Sequence, residues 1–466
     1  MRTSMKFLFY LFLITKSSFL LYGAKPNIIF IMADDLGYGH LGAYGQKSIL
    51  TPEIDKMAKE GLLLTDYYSG TSVCAPARCS LMTGQHVGNT YVRGNYEVKG
   101  TELNEQGQLP IPDETITVAE RLKEAGYATA CIGKWGLGYP HSEGDPLNQG
   151  FDYFYGYNCQ RLAHKYYPNW LWRNHEKVRL GERDTPEGYS HYSLTNEALN
   201  FIESNKKNPF FLYLSYSIPH SKIEIPKEDV NYTQYLDEDW PDVQKRLAGM
   251  ISLMDQDVGK IIKLLKKLRI ENNTLVIFTS DNGAHNAGGV IPNFFNDSGP
   301  LRGIKRDLYE GGIRVPFVAY WPSVIEPRRK SDHLSAHWDL MATACDMADL
   351  DLHEGTNSIS YLPLLKGTLD DQKAHDYLYF ELHWPTKRAA RKGQWVAVQK
   401  NTSSVNPSVN EIELFNLEND LSQSLNLAEN FPEKIEEFKE IFSASHKDSN
   451  YFIFGQKRPD KARVKW

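Results

Sequence analysis

The sequence predicts an α/β fold: a large mixed, mostly parallel sheet flanked by helices, followed by a smaller C-terminal subdomain of antiparallel sheet plus helix. Three observations carry this expectation. Short runs with strand character alternate with helical patterns through most of the 466 residues. Those runs are continuously apolar, as strands covered on both faces are. Beyond Leu365 the texture changes to short alternating segments separated by polar turns.

Asn27 to Met32 is the first such run, and it ends directly in Asp34 and Asp35. A helical pattern follows at Ile54 to Glu60, and Thr117 to Ala125 reads as a helix closed by Gly126. Ala128 to Ile132 is a second strand, running into Gly133-Lys134-Trp135. Ser193 to Asn205 is helical and leads to the strand Phe210 to Ser215, after which His220 arrives in a loop. Asp242 to Leu268 has apolar residues at helical spacing and precedes the strand Thr274 to Thr279, which ends in Asp281-Asn282-Gly283. In the last part, Tyr377 to Leu382, Trp395 to Gln399 and Ile412 to Phe415 read as antiparallel strands, and Glu433 to Phe442 as a helix.

Composition narrows the class. With 41% hydrophobic and 24% charged residues the chain is an ordinary globular protein, which excludes disordered and fibrous classes. Its net charge of −6 and scattered basic residues exclude a nucleic-acid-binding surface. Met1 to Ala24 has a basic start (Arg2, Lys6), an apolar run from Phe7 to Ile14 and a small-residue end, the pattern of a secretory signal peptide over residues 1–24. Lys16 interrupts the apolar stretch, whereas a spanning helix needs roughly 20 largely apolar residues, so no stable membrane insertion is expected. The expected location is exported, periplasmic or secreted. Residues 25–365 would form the catalytic domain and 366–466 the C-terminal subdomain. The five cysteines are an odd count for an oxidising compartment, and their pairing is not legible.

In an open parallel sheet ligands bind outside the carboxyl ends of the strands. Four strand candidates deliver polar residues there: Asp34 and Asp35, Lys134, His220, and Asp281 with Asn282. The carboxylates and the amide are hard oxygen donors, a set that suits Ca²⁺ or Mg²⁺ and not zinc or copper.

One stretch identifies a family. Cys74-Ala75-Pro76-Ala77-Arg78, followed by Cys79-Ser80-Leu81-Met82-Thr83-Gly84, resembles the signature of the type I sulfatases. Pro26 to Gly39, Thr51 to Asp55, Gly126 to Trp135, Phe278 to Gly283, Leu301 to Gly303 and Tyr309 to Pro316 are similar to further blocks of that family, in family order. The resemblance implies an alkaline-phosphatase-like fold and a sulfuric ester hydrolase. It implies that a formylglycine-generating maturase converts Cys74 to formylglycine, whose hydrated aldehyde is the nucleophile. Asp34, Asp35, Asp281 and Asn282, with the modified Cys74, would hold one divalent ion, Ca²⁺ ahead of Mg²⁺. Arg78 would hold the modified residue and the carboxylates, Lys134 and Lys305 would address the sulfate, and His220 would protonate the leaving oxygen. A sulfate monoester is an anion, so cations must screen it before an anionic nucleophile can approach.

There is one departure from the family. Many relatives carry a histidine two residues after the lysine corresponding to Lys134, and this chain has Gly136 there. His141 and His164 are the nearest histidines by sequence. His40 also stands where many relatives have aspartate.

The segment Tyr153 to Trp172 is dense in aromatic residues and includes Gln160, Arg161, His164 and Lys165. Aromatic faces stack on sugar rings, and basic groups bind sulfates or uronates; an aromatic cluster packed on the core is an equal alternative. His141, His164, Arg161 and His383 are the candidate substrate contacts, with Glu381 beside His383. The expected substrate is a sulfated polysaccharide or its oligosaccharides. The variant Gly133-Lys-Trp-Gly-Leu-Gly138 resembles bacterial enzymes of polysaccharide breakdown and points to an algal polymer such as ulvan or carrageenan, with animal glycosaminoglycans also open. Two other functions stand beside this one: a phosphate or phosphonate ester hydrolase on the same fold, and a non-catalytic glycan-binding protein on a sulfatase scaffold.

Overall fold

The strand Asn27–Ala33 is buried along its whole length, and its alternate residues enter two different cores. Ile29, Ile31 and Ala33 face one way, and Ile28, Phe30 and Met32 the other. Only the middle of a sheet covered on both faces asks for such a strand. In the computed structural model, which describes residues 25–98, 107–383, 385–400, 411–449 and 451–452, it lies between Thr274–Ser280 and Phe210–Ser215 and is parallel to both. The signal peptide expected over residues 1–24 lies outside the described residues.

The main sheet has ten strands, in the order Arg329–Ser331, Leu62–Leu64, Phe317–Tyr320, Thr274–Ser280, Asn27–Ala33, Phe210–Ser215, Ala128–Lys134, Tyr153–Tyr157, Trp170–Arg173, Glu176–Arg179. The five from Thr274–Ser280 to Tyr153–Tyr157 are mutually parallel. Antiparallel pairs flank them on both sides. One core contains residues of the helices Ser190–Asn205 and Asp242–Leu268, and the other residues of Cys74–Thr83, Val118–Glu124 and Asp339–Ala348.

Local sequence explains where these elements stop. Asp242–Leu268 buries Leu247, Ile251, Met254, Val258, Ile261 and Leu265, a stripe of three- and four-residue steps. It ends where Arg269 adopts a left-handed φ of 60°. Val118–Glu124 starts with a capping box: Thr117 Oγ accepts from the Glu120 N–H at 3.2 Å, and the Glu120 carboxylate accepts from the Thr117 N–H at 2.7 Å. The strands at Leu62–Leu64, Phe317–Tyr320, Tyr153–Tyr157 and Trp170–Arg179 are absent from the sequence reading. They are short or aromatic-rich and pair at the periphery, where no long apolar run is needed.

The C-terminal sheet is a four-stranded antiparallel meander of Leu378–Leu382, Lys387–Lys392, Trp395–Lys400 and Ile412–Asn416. One face carries Tyr379, Ala390, Ala397 and Leu414 against the helix Pro432–Ser445. The other packs Phe380, Val396 and Phe415 against Tyr68, Val73, Leu308 and Trp338 of the main body. All five cysteines are free and buried. Among the described residues no helix is long and apolar enough to cross a membrane.

A buried ionic cluster pins this face. Arg391 donates to Asp66 Oδ2 at 2.6 Å and to the Tyr68 hydroxyl; Arg314 binds the other Asp66 oxygen and Glu310 at 3.1 Å. Removing one partner of a buried pair strands the other charge. Arg391→Ala is therefore expected to lower the unfolding free energy by roughly 3–5 kcal/mol in urea denaturation. A loss below about 1 kcal/mol, the value of an exposed pair, would show that this cluster does not hold the C-terminal sheet.

Candidate active site

Four adjacent parallel strands end on one edge of the main sheet, and each brings its own chemistry. Ala128–Lys134 ends in Lys134, Asn27–Ala33 in Asp34 and Asp35, and Thr274–Ser280 in Asp281 and Asn282. Phe210–Ser215 is followed after a short turn by His220. Asp35 takes a left-handed φ of 69°, a conformation that aspartate tolerates better than most residues. Its N–H donates to Asp281 Oδ1 at 3.1 Å, and the Asp281 N–H donates to the Ala33 carbonyl at 3.0 Å, so the two carboxylate loops are tied together.

Cys74 begins the helix Cys74–Thr83, all of whose residues are buried. Val73 caps it without a side-chain bond, and Asn95 Oδ1 accepts from the Ala75 N–H at 2.9 Å. The first turn of a helix carries partial positive charge and favours an anion there. Four residues on, Arg78 lies on the same face as Cys74. It donates to Asp281 Oδ2 at 2.6 Å, the Lys134 carbonyl at 2.9 Å, the Tyr213 hydroxyl at 3.3 Å and the Ser215 hydroxyl.

The Cys74 sulfur sits between charges of both signs. It is 3.4 Å from Asp34 Oδ1 and 3.5 Å from Lys305 Nζ. Lys134 Nζ bonds Asp34 Oδ2 at 2.5 Å, and Lys305 Nζ bonds Asp35 Oδ1 at 2.6 Å. Burial, reinforced by Asp281, pushes the thiol up to about 12, so a thiolate is not the resting nucleophile at neutral pH. Burial alone would raise Asp34; Lys134, His220, Arg78 and Lys305 outweigh it and hold the carboxyl well below its ordinary range. Asp281 goes the other way: burial and the neighbouring Asp34 raise it to about 6 despite Arg78. Burial would depress Lys305, but Asp35 and Cys74 hold it above its ordinary value.

These side chains fit a cation. Asp34, Asp35, Cys74 and His220 offer ligand atoms that all lie within 4.8 Å of one another. Asn282 gives its amide hydrogens to Asp35 Oδ1 at 2.7 Å and the Gly283 carbonyl at 2.9 Å, and its buried Oδ1 has no partner among the described residues. His220 adds a second sign. Its Nδ1 is 2.6 Å from the Ser221 carbonyl, which can only accept, so Nδ1 carries the hydrogen. A neutral ring then turns a bare Nε2 toward Asp35 Oδ2 at 3.2 Å, lone pair against lone pair, unless a proton or cation lies between them. Burial, only partly offset by Asp35, pushes that imidazole down to about 3.

Above the cluster opens a cavity of about 760 Å³. Asp35, His220 and Lys305 line it together with Tyr96, Gln160, Arg161, His164, His285 and Arg306. His164 stacks on His220 with ring centroids 4.1 Å apart and planes 23° apart. Arg161 reaches Glu97 at 2.7 Å and stays 57% exposed, free to meet a ligand at the rim. Of the histidines nearest to Gly136 in sequence, the structure places His164 in this cavity. His141 is not among the lining residues; its ring packs on His175, 4.0 Å between centroids, above Asp145. His383 is not a lining residue either: it is buried against Phe452, and neighbouring Glu381 is held by Arg93 and His446. His40 is a bracing residue, bonded to Asp297 at 3.0 Å and accepting from the Gly37 N–H at 3.0 Å.

Comparison with known proteins gives this arrangement a family context. A family model described as "Sulfatase" matches residues 26–350, and one described as "N-sulphoglucosamine sulphohydrolase, C-terminal" matches residues 304–446. An N-acetylgalactosamine-6-sulfatase of Canis lupus familiaris is 33% identical over 390 residues, covering 80% of this chain and 71% of its own. The crystal structure of Ps i-CgsB in complex with k-i-k-neocarrahexaose is 28% identical, with a TM-score of 0.79 over 93% of this chain and 95% of that one. A structure described under metabolism of multiple glycosaminoglycans by Bacteroides thetaiotaomicron is 25% identical, with a TM-score of 0.76 over 91% of this chain and 99% of that one. The fold shared with these structures is the alkaline-phosphatase-like one.

Arg78 is the cation on which Asp281 leans most. Arg78→Met keeps much of its length and removes its charge, so the unfolding free energy is expected to fall by roughly 3–5 kcal/mol in chemical denaturation. An unchanged midpoint would show that Asp34 and Asp281 are balanced without it.

Proposed function

The chain belongs to the sulfatase family and is a sulfuric ester hydrolase, and on that premise we propose that it removes sulfate from a sulfated polysaccharide or its oligosaccharides, using formylglycine formed from Cys74 and one divalent ion. The observation that carries this reading is the charge count at the strand ends. Asp34, Asp35 and Asp281 contribute three negative charges, and Arg78, Lys134 and Lys305 three positive ones, all within one hydrogen-bonded cluster. The sum is zero. A divalent ion held there would leave an excess of two positive charges, which an entering sulfate monoester would reduce.

Asp34, Asp35, Asp281 and Asn282 would hold that ion, and their oxygen-only donors favour Ca²⁺ over softer metals. Bound there, it supplies positive charge to the sulfate oxygens. Formylglycine, if formed there by a maturase, would supply a hydrated aldehyde: one hydroxyl, losing its proton, would attack sulfur as the bond to the ester oxygen breaks, and loss of the second hydroxyl's proton would break the C–O bond to sulfate and restore the aldehyde. The high thiol pKa supports this, since an unmodified Cys74 would lack a nucleophile at neutral pH. Lys134 and Lys305 would flank the position and hold the sulfate, Arg78 would fix the carboxylates, and His220 would serve as the acid for the leaving oxygen once its Nε2, which faces Asp35, has taken up a proton.

The cavity supports a carbohydrate. It opens directly above Lys305 and His220, and it combines the rings of Tyr96, His164 and His285 with amides and with Arg161 and Arg306. Its volume lies within the range of small-molecule sites. The structural likeness to a protein holding a carrageenan oligosaccharide favours a marine algal galactan or ulvan over a simple aryl sulfate.

Two experiments test the reading. Protein matured with a formylglycine-generating enzyme is expected to carry a Cys74 peptide lighter by the thiol-to-aldehyde change, and Cys74→Ala to abolish turnover without loss of fold; wild-type rates in that variant would remove Cys74 as the nucleophile. His220→Ala is expected to lower kcat on a sugar sulfate by about 10²–10⁴-fold. It should cost far less on 4-nitrophenyl sulfate, whose leaving group needs no proton, and equal losses on both substrates would argue against a general acid.

A further inference from the structure

One side chain on the cavity wall is buried and unbonded. Gln160 lines the cavity beside His220, Lys305 and Arg161, is only 5% exposed, and among the described residues has a hydrogen-bond partner on neither its Oε1 nor its Nε2. Folded proteins rarely leave both ends of a buried carboxamide open, and such a group marks a place where a partner is expected. Its main chain is fixed, because the Gln160 N–H donates to Gln108 Oε1 at 3.2 Å.

The carboxamide owes its place to Gly136. That residue has a φ of 81°, and a Cβ there would lie 2.0 Å from Gln160 Nε2 and 3.9 Å from the Cδ of Arg78. A side chain at 136 would evict Gln160. The glycine just beyond Lys134 thus makes room for an amide beside the guanidinium that organises the carboxylates.

We propose that Gln160 is a specificity-determining residue that binds hydroxyl groups of the sugar carrying the scissile sulfate; this rests on the sulfated-glycan reading above. A carboxamide offers a donor and an acceptor, which suits a hydroxyl, itself both. It is neutral, whereas anionic substituents have Lys305, Arg161 and Arg306 on the same walls. A site built to bond a substrate hydroxyl discriminates against analogues that lack it, because its own buried group is then left unpaired.

The test compares kcat/KM on 4-nitrophenyl sulfate with that on a panel of monosulfated hexoses and sulfated galactan oligosaccharides, for wild type, Gln160→Ala and Gln160→Met. The methionine variant keeps the volume and removes both polar atoms. The sugar-to-aryl ratio is expected to fall at least about tenfold in both variants, the loss of roughly one good hydrogen bond, mainly through KM. The melting temperature should hold or rise, since an unbonded buried amide is removed. A Met variant that retains the wild-type ratio overturns the proposal, because the side chain then only fills space. So does a Met variant that melts more than about 4 °C lower, which would mark a structural role. Wild-type protein that hydrolyses the aryl ester but none of the sugars overturns the glycan reading and the Gln160 role together.

Discussion

Three carboxylates taken out of water at one sheet edge are the constraint on which this structure turns. Asp34, Asp35 and Asp281 are fully buried, and each would be driven toward its neutral form if left alone. Arg78, Lys134 and Lys305 oppose this, and each comes from a different element: the helix Cys74–Thr83, a central strand and a distant loop. The fold delivers six charges with no excess. Their arrangement is also what makes the edge receptive, because a neutral cluster gains strongly from a cation and an anion arriving together.

The remainder of the molecule serves to hold that edge still. The parallel strands supply the direction, both faces of the sheet are packed, and the helix carrying Cys74 and Arg78 lies wholly within one of the two cores. The C-terminal sheet presses on Tyr68 and Val73, immediately before Cys74, and is fastened there by Asp66, Arg314 and Arg391. The C-terminal sheet is therefore a buttress behind the turn that leads into Cys74. Through its other side it reaches the helix Pro432–Ser445, so distant parts of the chain contribute to the rigidity of one residue.

Much of this was legible in the chain itself. Asp34, Lys134, His220 and Asp281 were readable because continuous apolar strands end in polar residues, and parallel strands must end on one edge. Cys74 and Arg78 were paired by the family resemblance, and the structure sets them one helical turn apart. Lys305 was not: it follows no apolar run, and only the family resemblance singled it out. His141, singled out by its nearness to Gly136 in sequence, is held beside Asp145 and His175, and His383, expected from the C-terminal sheet, packs on Phe452; neither lines the cavity. Gln160 was visible only as one polar residue of the aromatic segment Tyr153 to Trp172. Its role depends on empty space at Gly136, and empty space between residues 24 positions apart is a property of packing.

The strand order also imposes a timetable. The pocket around Cys74 closes only when Asp281 and Lys305 are in place, and these follow it by more than two hundred residues of synthesis. At about 5–20 residues per second, the nascent chain leaves Cys74 uncovered for roughly 10–50 seconds. Once the last of these residues arrives, every residue of the helix that Cys74 begins is buried. On the proposal that Cys74 becomes formylglycine, a modifying enzyme would meet it most openly within that interval, before the fold has buried it.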